Sequence, residues 1–187
     1  MADGGTAGEE AARAARIGVV TVSDRASAGQ YEDRSGPAII AYLERILTSR
    51  FDVVRRIIPD GFEAVRDALI DLADNAHCDL ILTTGGTGPA PRDLTPEATE
   101  AAAPRVLPGF GELMRQESLK QVPTAILSRQ IAAHRGACLV INLPGKPASI
   151  ETCLEAVFPA VPYCLDLIGA ARLETNPAIL KSFRPKP

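Results

Sequence analysis

The stretch Leu80–Thr99, LILTTGGTGPAPRDLTPEAT, decides how this chain is read. Its apolar start predicts a buried strand, which runs into Gly85-Gly86-Thr87-Gly88. Glycines at a strand end let backbone N–H groups close on an anion without side-chain obstruction. A proline-stiffened loop then delivers Arg92 and Asp93, and a helix opens at Thr95-Pro96. Thr95 suits the N-cap and Pro96 the first helical position, where its missing N–H costs nothing. A helix N-terminus adds partial positive charge beside such a loop. Phosphate-binding amides, an arginine and a carboxylate able to hold a metal point together to phosphate or nucleotide chemistry. The loop is not a P-loop, since no lysine follows Gly88, and Pro91 stands where the dinucleotide fingerprint needs its third glycine. The competing reading is a glycine turn that only reverses the chain.

Working outward, the same alternation of strand and helix recurs. Arg16–Ser23 is mostly apolar, as a strand buried on both faces should be. A polar loop is expected from Asp24 to Gly36, then a helix with Ile39, Ile40, Leu43, Ile46 and Leu47 on one stripe. Phe51–Ile58 reads as a second strand ending in the turn signal Pro59-Asp60-Gly61. Phe62, Val65, Leu69, Leu72 and Ala76 recur at helical spacing. Further on, Pro108–Gln121 predicts a helix, and Ala137–Leu143 a buried strand that Gln130–Arg135 can pair through a turn at Gly136. A long apolar helix from Ser149 should kink near Pro159 and Pro162. The expected division is a flexible lead over residues 1–15, one domain over 16–170, and an extended surface tail over 171–187. Strand–helix alternation predicts an α/β domain with a mostly parallel sheet covered on both faces.

Composition narrows the classes. The 187 residues suffice for one domain with a sizeable core, and 46% hydrophobic with 23% charged residues is ordinary for a globular protein. A net charge of −3 argues against nonspecific attraction to nucleic acid or acidic membrane, and the absence of tryptophan argues against stacking platforms. Cys78, Cys138, Cys153 and Cys164 have no Cys-x-x-Cys spacing and only His77 and His134 accompany them, so buried free thiols are expected rather than a zinc site. Neither a signal peptide nor a membrane span is visible, and a cytoplasmic location is expected.

In parallel sheets the ligand crevice lies beyond the carboxyl ends of the strands. Here those ends carry Ser23-Asp24, Pro59-Asp60, Gly85–Asp93 and Asn142–Lys146, so three aspartates should converge on one rim. Clustered carboxylates repel unless a cation joins them, and Mg²⁺ bridging substrate phosphates is the usual solution. The alternative is that Asp24 and Asp60 cap helices while Asp93 pairs with Arg92. Arg25, Arg34, Arg92, Arg129 and Lys146 are candidate phosphate partners, and Arg92, Arg129 and Lys146 stand out among them.

A family resemblance rests on VSDRASAGQYEDRSGP (Val22–Pro37), IIPD (Ile57–Asp60), TTGGTGPAPRDLTPEAT (Thr83–Thr99), PGFGELMRQESL (Pro108–Leu119), AILSR (Ala125–Arg129) and INLPGKP (Ile141–Pro147). In order and spacing, from about Arg16 to Ala170, these resemble the molybdopterin adenylyltransferase family, to which the G domains of gephyrin belong. The resemblance implies a three-layer α/β/α domain with a mixed sheet, assembled as a homotrimer. It implies that the molybdopterin phosphate attacks the α-phosphate of ATP, releasing pyrophosphate, and that a molybdenum-insertion enzyme uses the product. By the same resemblance, Asp60 and Asp93 are the catalytic aspartates, and the chemistry of the triphosphate, not the family, assigns Mg²⁺ to them. Asp24, Gly85, Gly86, Thr87, Gly88, Arg92, Asn142, Pro144, Gly145 and Lys146 then form the nucleotide and phosphate site. Ser118, Ser128 and Arg129 form the pterin site. The role of Lys146 comes from its chemistry and position, not from the family. Two other classes compete: a non-catalytic binding or scaffold module of the same fold, and a nucleotide hydrolase, for which the chain carries no added segment.

Overall fold

The computed structural model describes residues 13–186. Its centre is a six-stranded sheet in the order β2-β1-β3-β6-β5-β4. The strands are β1 (Ala15–Val22), β2 (Phe51–Ile58), β3 (Leu80–Thr84), β4 (Arg105–Val106), β5 (Ala132–Arg135) and β6 (Cys138–Leu143). The first four in spatial order are mutually parallel, and β5 runs antiparallel to both of its neighbours. This is the mixed, mostly parallel sheet expected. β3 and β6 are buried at every position, which is why their sequences are continuous apolar runs rather than alternations.

Side-chain parity divides the core into two layers. Ile17, Val19, Leu80, Leu82, Leu139 and Ile141 point to one face, against α2 (Ser35–Ile46), α5 (Pro108–Leu119), α6 (Pro147–Val157) and α7 (Val161–Ile168). Val20, Val22, Ile81 and Val140 point to the other, against α3 (Phe62–Asp74) and α4 (Thr95–Ala102). Each such buried aliphatic side chain contributes about 2 kcal/mol of transfer free energy, so a one-residue register slip in a central strand is strongly disfavoured. The result is the three-layer α/β/α arrangement.

Four local expectations need correction. The Asp24–Gly36 segment is not wholly loop, because Ser23 caps a short helix, α1 (Asp24–Ser27), by accepting the Ala26 N–H. Thr95 does not cap α4. The cap position is Leu94, and the Thr95 hydroxyl donates instead to the Gly85 carbonyl at 3.0 Å. The apolar run after Ser149 is two helices separated by a 3-10 turn at Phe158–Ala160, where the prolines interrupt the hydrogen-bond ladder. The tail is not merely superficial either. Leu173 and Leu180 are buried in the first core layer, and Thr175 bridges to Leu47. Most of the predicted N-terminal lead lies outside the described residues. Its end is ordered structure: Ala15 begins β1, and Arg13 pairs with Asp79.

Candidate functional site

The chain goes from β1 to β2 on one side and returns to place β3 on the other. The strand order therefore reverses between β1 and β3, and their carboxyl ends open a crevice. The glycine loop starts there. Gly85 has φ +101, and a Cβ on it would lie 2.3 Å from the Val22 carbonyl oxygen, so only glycine lets β3 exit this close to β1. Beyond it, the N–H groups of Gly86, Thr87 and Gly88 make no hydrogen bond among the described residues, as an anion-binding loop requires. Gly85 itself leaves that set, because its N–H donates to the Leu143 carbonyl. The neighbouring Leu143–Pro147 loop is fixed by Thr84 Oγ1 donating to the Pro144 carbonyl and Ser35 Oγ to the Gly145 carbonyl, both at 2.8 Å.

These two loops separate two cavities. The larger, about 390 Å³, has Thr87, Gly88, Pro144 and Lys146 on one side and Ser118, Ser128 and Gln130 on the other. The smaller, about 240 Å³, is lined by Gly85 and Gly145 together with Ser23, Arg25, Tyr31 and Asp33. Gly145 packs on Gly85 at the ridge, a Cβ there falling 3.5 Å from the Gly85 Cα. Successive residues of each loop thus face different cavities. Arg115, Gln121, Thr124, Ser149 and Thr152 also line the larger one and escaped sequence reasoning: nothing marks Arg115 off within PGFGELMRQESL, and the others lie in separate segments outside the motifs. Asp33 escaped it too. Its buried carboxylate accepts from Thr21 Oγ1, the Ser35 and Gly36 N–H groups and Arg55. Burial pushes the Asp33 carboxyl up, but those donors outweigh it and hold it below its ordinary value.

The rim aspartates are arranged differently from expectation. Asp24 and Asp60 interlock: the Asp24 N–H donates to Asp60 Oδ2 at 2.8 Å, and the Asp60 N–H donates to Asp24 Oδ1 at 3.1 Å. Arg92 does not pair with its neighbour Asp93. Its guanidinium forks onto Asp24, both contacts 3.0 Å, and reaches the Asp60 carbonyl at 2.8 Å. That hydrogen bond from Arg92, more than any other influence, holds the Asp24 carboxyl below its ordinary value. Asp24 is thus already neutralised by a partner. Asp93 Oδ2 accepts the Ala90 N–H at 3.2 Å and sits 2.8 Å from where a Cβ on Gly88 would be. One aspartate therefore lies beside each cavity: Asp60 bonds Asp24, between the cavity residues Ser23 and Arg25, and Asp93 abuts Gly88.

Among the described residues, no three His, Cys, Asp or Glu side chains come together to form a metal cage. The expected convergence of three carboxylates therefore reduces to two flanking ones. Oδ1 of Asp60 and Oδ1 of Asp93 make no hydrogen bond among the described residues. Each carboxylate thus keeps one hard oxygen of the kind magnesium takes alongside waters and substrate phosphates.

Two proposed ligand-binding side chains face elsewhere. Asn142 is fully buried in β6, and its amide nitrogen donates to Thr83 Oγ1 at 3.0 Å and Thr99 Oγ1 at 2.9 Å. It ties the two central strands to α4 from within. Arg129 lies between the cavity residues Ser128 and Gln130, but its guanidinium turns onto the glycine loop: Nε donates to the Gly88 carbonyl at 2.9 Å, and the other nitrogens reach the Asp93 carbonyl and Glu97. Ser118 and Ser128 do line the larger cavity. Cys78, Cys138 and Cys153 are buried free thiols and Cys164 is half-buried, as their sequence context predicts.

Residues 18–163 match the family described as a probable molybdopterin binding domain. A molybdopterin adenylyltransferase of Helicobacter pylori is 55% identical over 170 residues, covering 91% of this chain and 97% of its own. That of Escherichia coli K12 is 49% identical over 183 residues, covering 91% and 94%. The crystal structure of the molybdopterin biosynthesis enzyme MoaB from Thermus thermophilus superposes with a TM-score of 0.75 at 42% identity, covering 82% of this chain and 95% of that one. With the glycine loop and the paired cavities at the switch point of the sheet, these likenesses establish that the chain belongs to the molybdopterin adenylyltransferase family.

Proposed function

We propose that this chain adenylylates molybdopterin at the expense of ATP, a step of molybdenum cofactor biosynthesis. The observation that carries this reading is the ridge of Gly85 and Gly145, with a cavity on either side and free loop amides at its edge. The larger cavity takes the pterin, and the smaller takes the nucleoside, so that both phosphate ends meet at the loop 86–88. An oxygen of the pterin phosphate attacks the α-phosphorus, the bond from that phosphorus to the bridging oxygen breaks, and pyrophosphate leaves. The nucleophile is already an anion, so no side chain need deprotonate it. The chain's task is to position the groups and offset charge. The amides of Gly86, Thr87 and Gly88 receive phosphate oxygens, and Lys146 at the larger cavity adds positive charge. Ser118 and Ser128 orient the pterin. Asp60 and Asp93 would hold Mg²⁺, which when bound neutralises charge on the triphosphate. Asn142 acts through the framework under the loop rather than on substrate.

Assembly as a homotrimer, a cytoplasmic location and transient contact with the enzyme that inserts molybdenum complete the proposal. No helix among the described residues is long and apolar enough to cross a membrane. Incubation of the purified chain with molybdopterin, ATP and Mg²⁺ tests the reaction. Equal amounts of pyrophosphate and adenylylated molybdopterin are expected, dependent on Mg²⁺. Tight pterin binding by folded protein with no product would make the chain a binding module.

A further inference from the structure

The segment Pro89–Arg92 carries the chain from the glycine loop to Asp93, and it is held internally by little. The Asp93 N–H donates to the Ala90 carbonyl, the Leu94 N–H to the Arg92 carbonyl, and the Ala90 N–H to Asp93 itself. Such a loop is mobile unless something outside ties it down. The tie is Arg129. One guanidinium grips the carbonyls at both ends of the segment, Gly88 and Asp93, while the Arg129 backbone N–H donates to the Thr87 carbonyl at 2.8 Å. The remaining nitrogen meets Glu97 Oε1.

Glu97 is well placed to aim that guanidinium. It rides in the first turn of α4, which Thr95 anchors to the loop by donating its N–H to the Gly86 carbonyl and its hydroxyl to the Gly85 carbonyl. Its second oxygen, Oε2, is buried and has no partner among the described residues. The side chains of Arg129 and Glu97 are 38% and 42% exposed, so as a simple ion pair they contribute little. Their effect lies in geometry. A planar fork can satisfy two carbonyls and a carboxylate together, which a lysine ammonium on a flexible stem cannot do in the same orientation.

We propose that Arg129 and Glu97 are positioning residues for Asp93, a clamp that closes the loop 88–93 and touches no substrate. This rests on the reading of Asp93 given above. It also gives Ser128 and Gln130, on either side of Arg129 and lining the larger cavity, a rigid connection to the loop that bears the aspartate. Arg129 itself is not among the residues that line the larger cavity.

The test uses Glu97→Gln and Arg129→Lys in the full chain, with amide hydrogen exchange, molybdopterin affinity and turnover measured on each. Exchange at the hydrogen-bonded amides of Ala90, Asp93, Leu94 and Arg129 is expected to rise about tenfold or more while the central strands stay protected. Molybdopterin affinity should stay within about twofold, and turnover should fall about 10- to 100-fold. The double variant should be no worse than Arg129→Lys alone, because the two act as a unit. Unchanged loop exchange would overturn the clamp, and so would weakened pterin binding with turnover of bound substrate intact. Glu97→Gln preserves volume and still reads the clamp if Arg129→Lys does not fold. If the wild-type chain transfers no adenylyl group, the functional reading fails, while the exchange experiment still decides whether the clamp exists.

Discussion

Two buried carboxylates, Asp79 and Asp33, are held ionised by hydrogen-bond donors, and protonating them should destabilise the fold. Asp79, at the start of β3, accepts the N–H groups of Arg16 and Ala171 and the guanidinium of Arg13, so it joins both ends of the domain. Burial pushes its carboxyl up, but Arg13 and the two N–H donors hold it below its ordinary value, as the corresponding donors do for Asp33. A carboxyl whose folded pKa is depressed contributes stability above its unfolded value of about 4 and loses it as pH falls through the folded one. Stability measured by urea unfolding should therefore be level from neutrality to about pH 4 and fall below it. Asp79→Asn should cost about 2 kcal/mol at pH 7 and flatten the acid limb. An acid limb unchanged by the substitution would show that Asp79 is not the group responsible. Such residues were not legible in the sequence, because Asp79 and Asp33 resemble any polar residue at an element boundary. Asp60 and Asp93 were legible, since each follows a strand and falls in a recognisable motif. The direction of Arg129 was not: a residue between two cavity residues gives no sign that its side chain turns away.

At the scale of elements, periodicity served where one face is buried. α3 was readable to within a residue or two because its apolar positions recur at helix spacing, and β2 because an apolar-rich run ends in the turn Pro59-Asp60-Gly61. The failures are where tertiary bonds replace local rules. β4 is two exposed residues, Arg105 and Val106, which exist as a strand only because β5 lies alongside. Thr95 has the residue type of an N-cap, yet its hydroxyl is used on Gly85, so the glycine loop rather than the helix end claims it. The tail read as superficial because prolines dominate it, although Leu173 and Leu180 anchor it in the core. In each case the deciding partner is distant in sequence.

For the whole molecule, the reversal of strand order between β1 and β3 is what brings the glycine loop, Asp60 and both cavities to one rim. The mixed sheet was legible from alternation and from the family resemblance. The two-cavity division was not, since it depends on which loop residue faces which side. An apolar groove of about 520 Å³ between α5 and the end of α6, lined by Leu107, Phe110, Leu113, Val157 and Pro159, is the surface we propose for the homotrimer contact. Sedimentation equilibrium should give three times the mass of the chain, and Leu113→Glu should lower it; a monomer at micromolar concentration would exclude the trimer. The proposed role of Asp93 is in the chemistry at the ridge rather than in the fold or the pterin contact. Asp93→Asn, assayed for molybdopterin affinity and for adenylyl transfer on one folded preparation, tests it most directly. Affinity within about threefold of wild type with turnover reduced at least about 100-fold is expected. Turnover near the wild-type level, or loss of binding and turnover together, would contradict it.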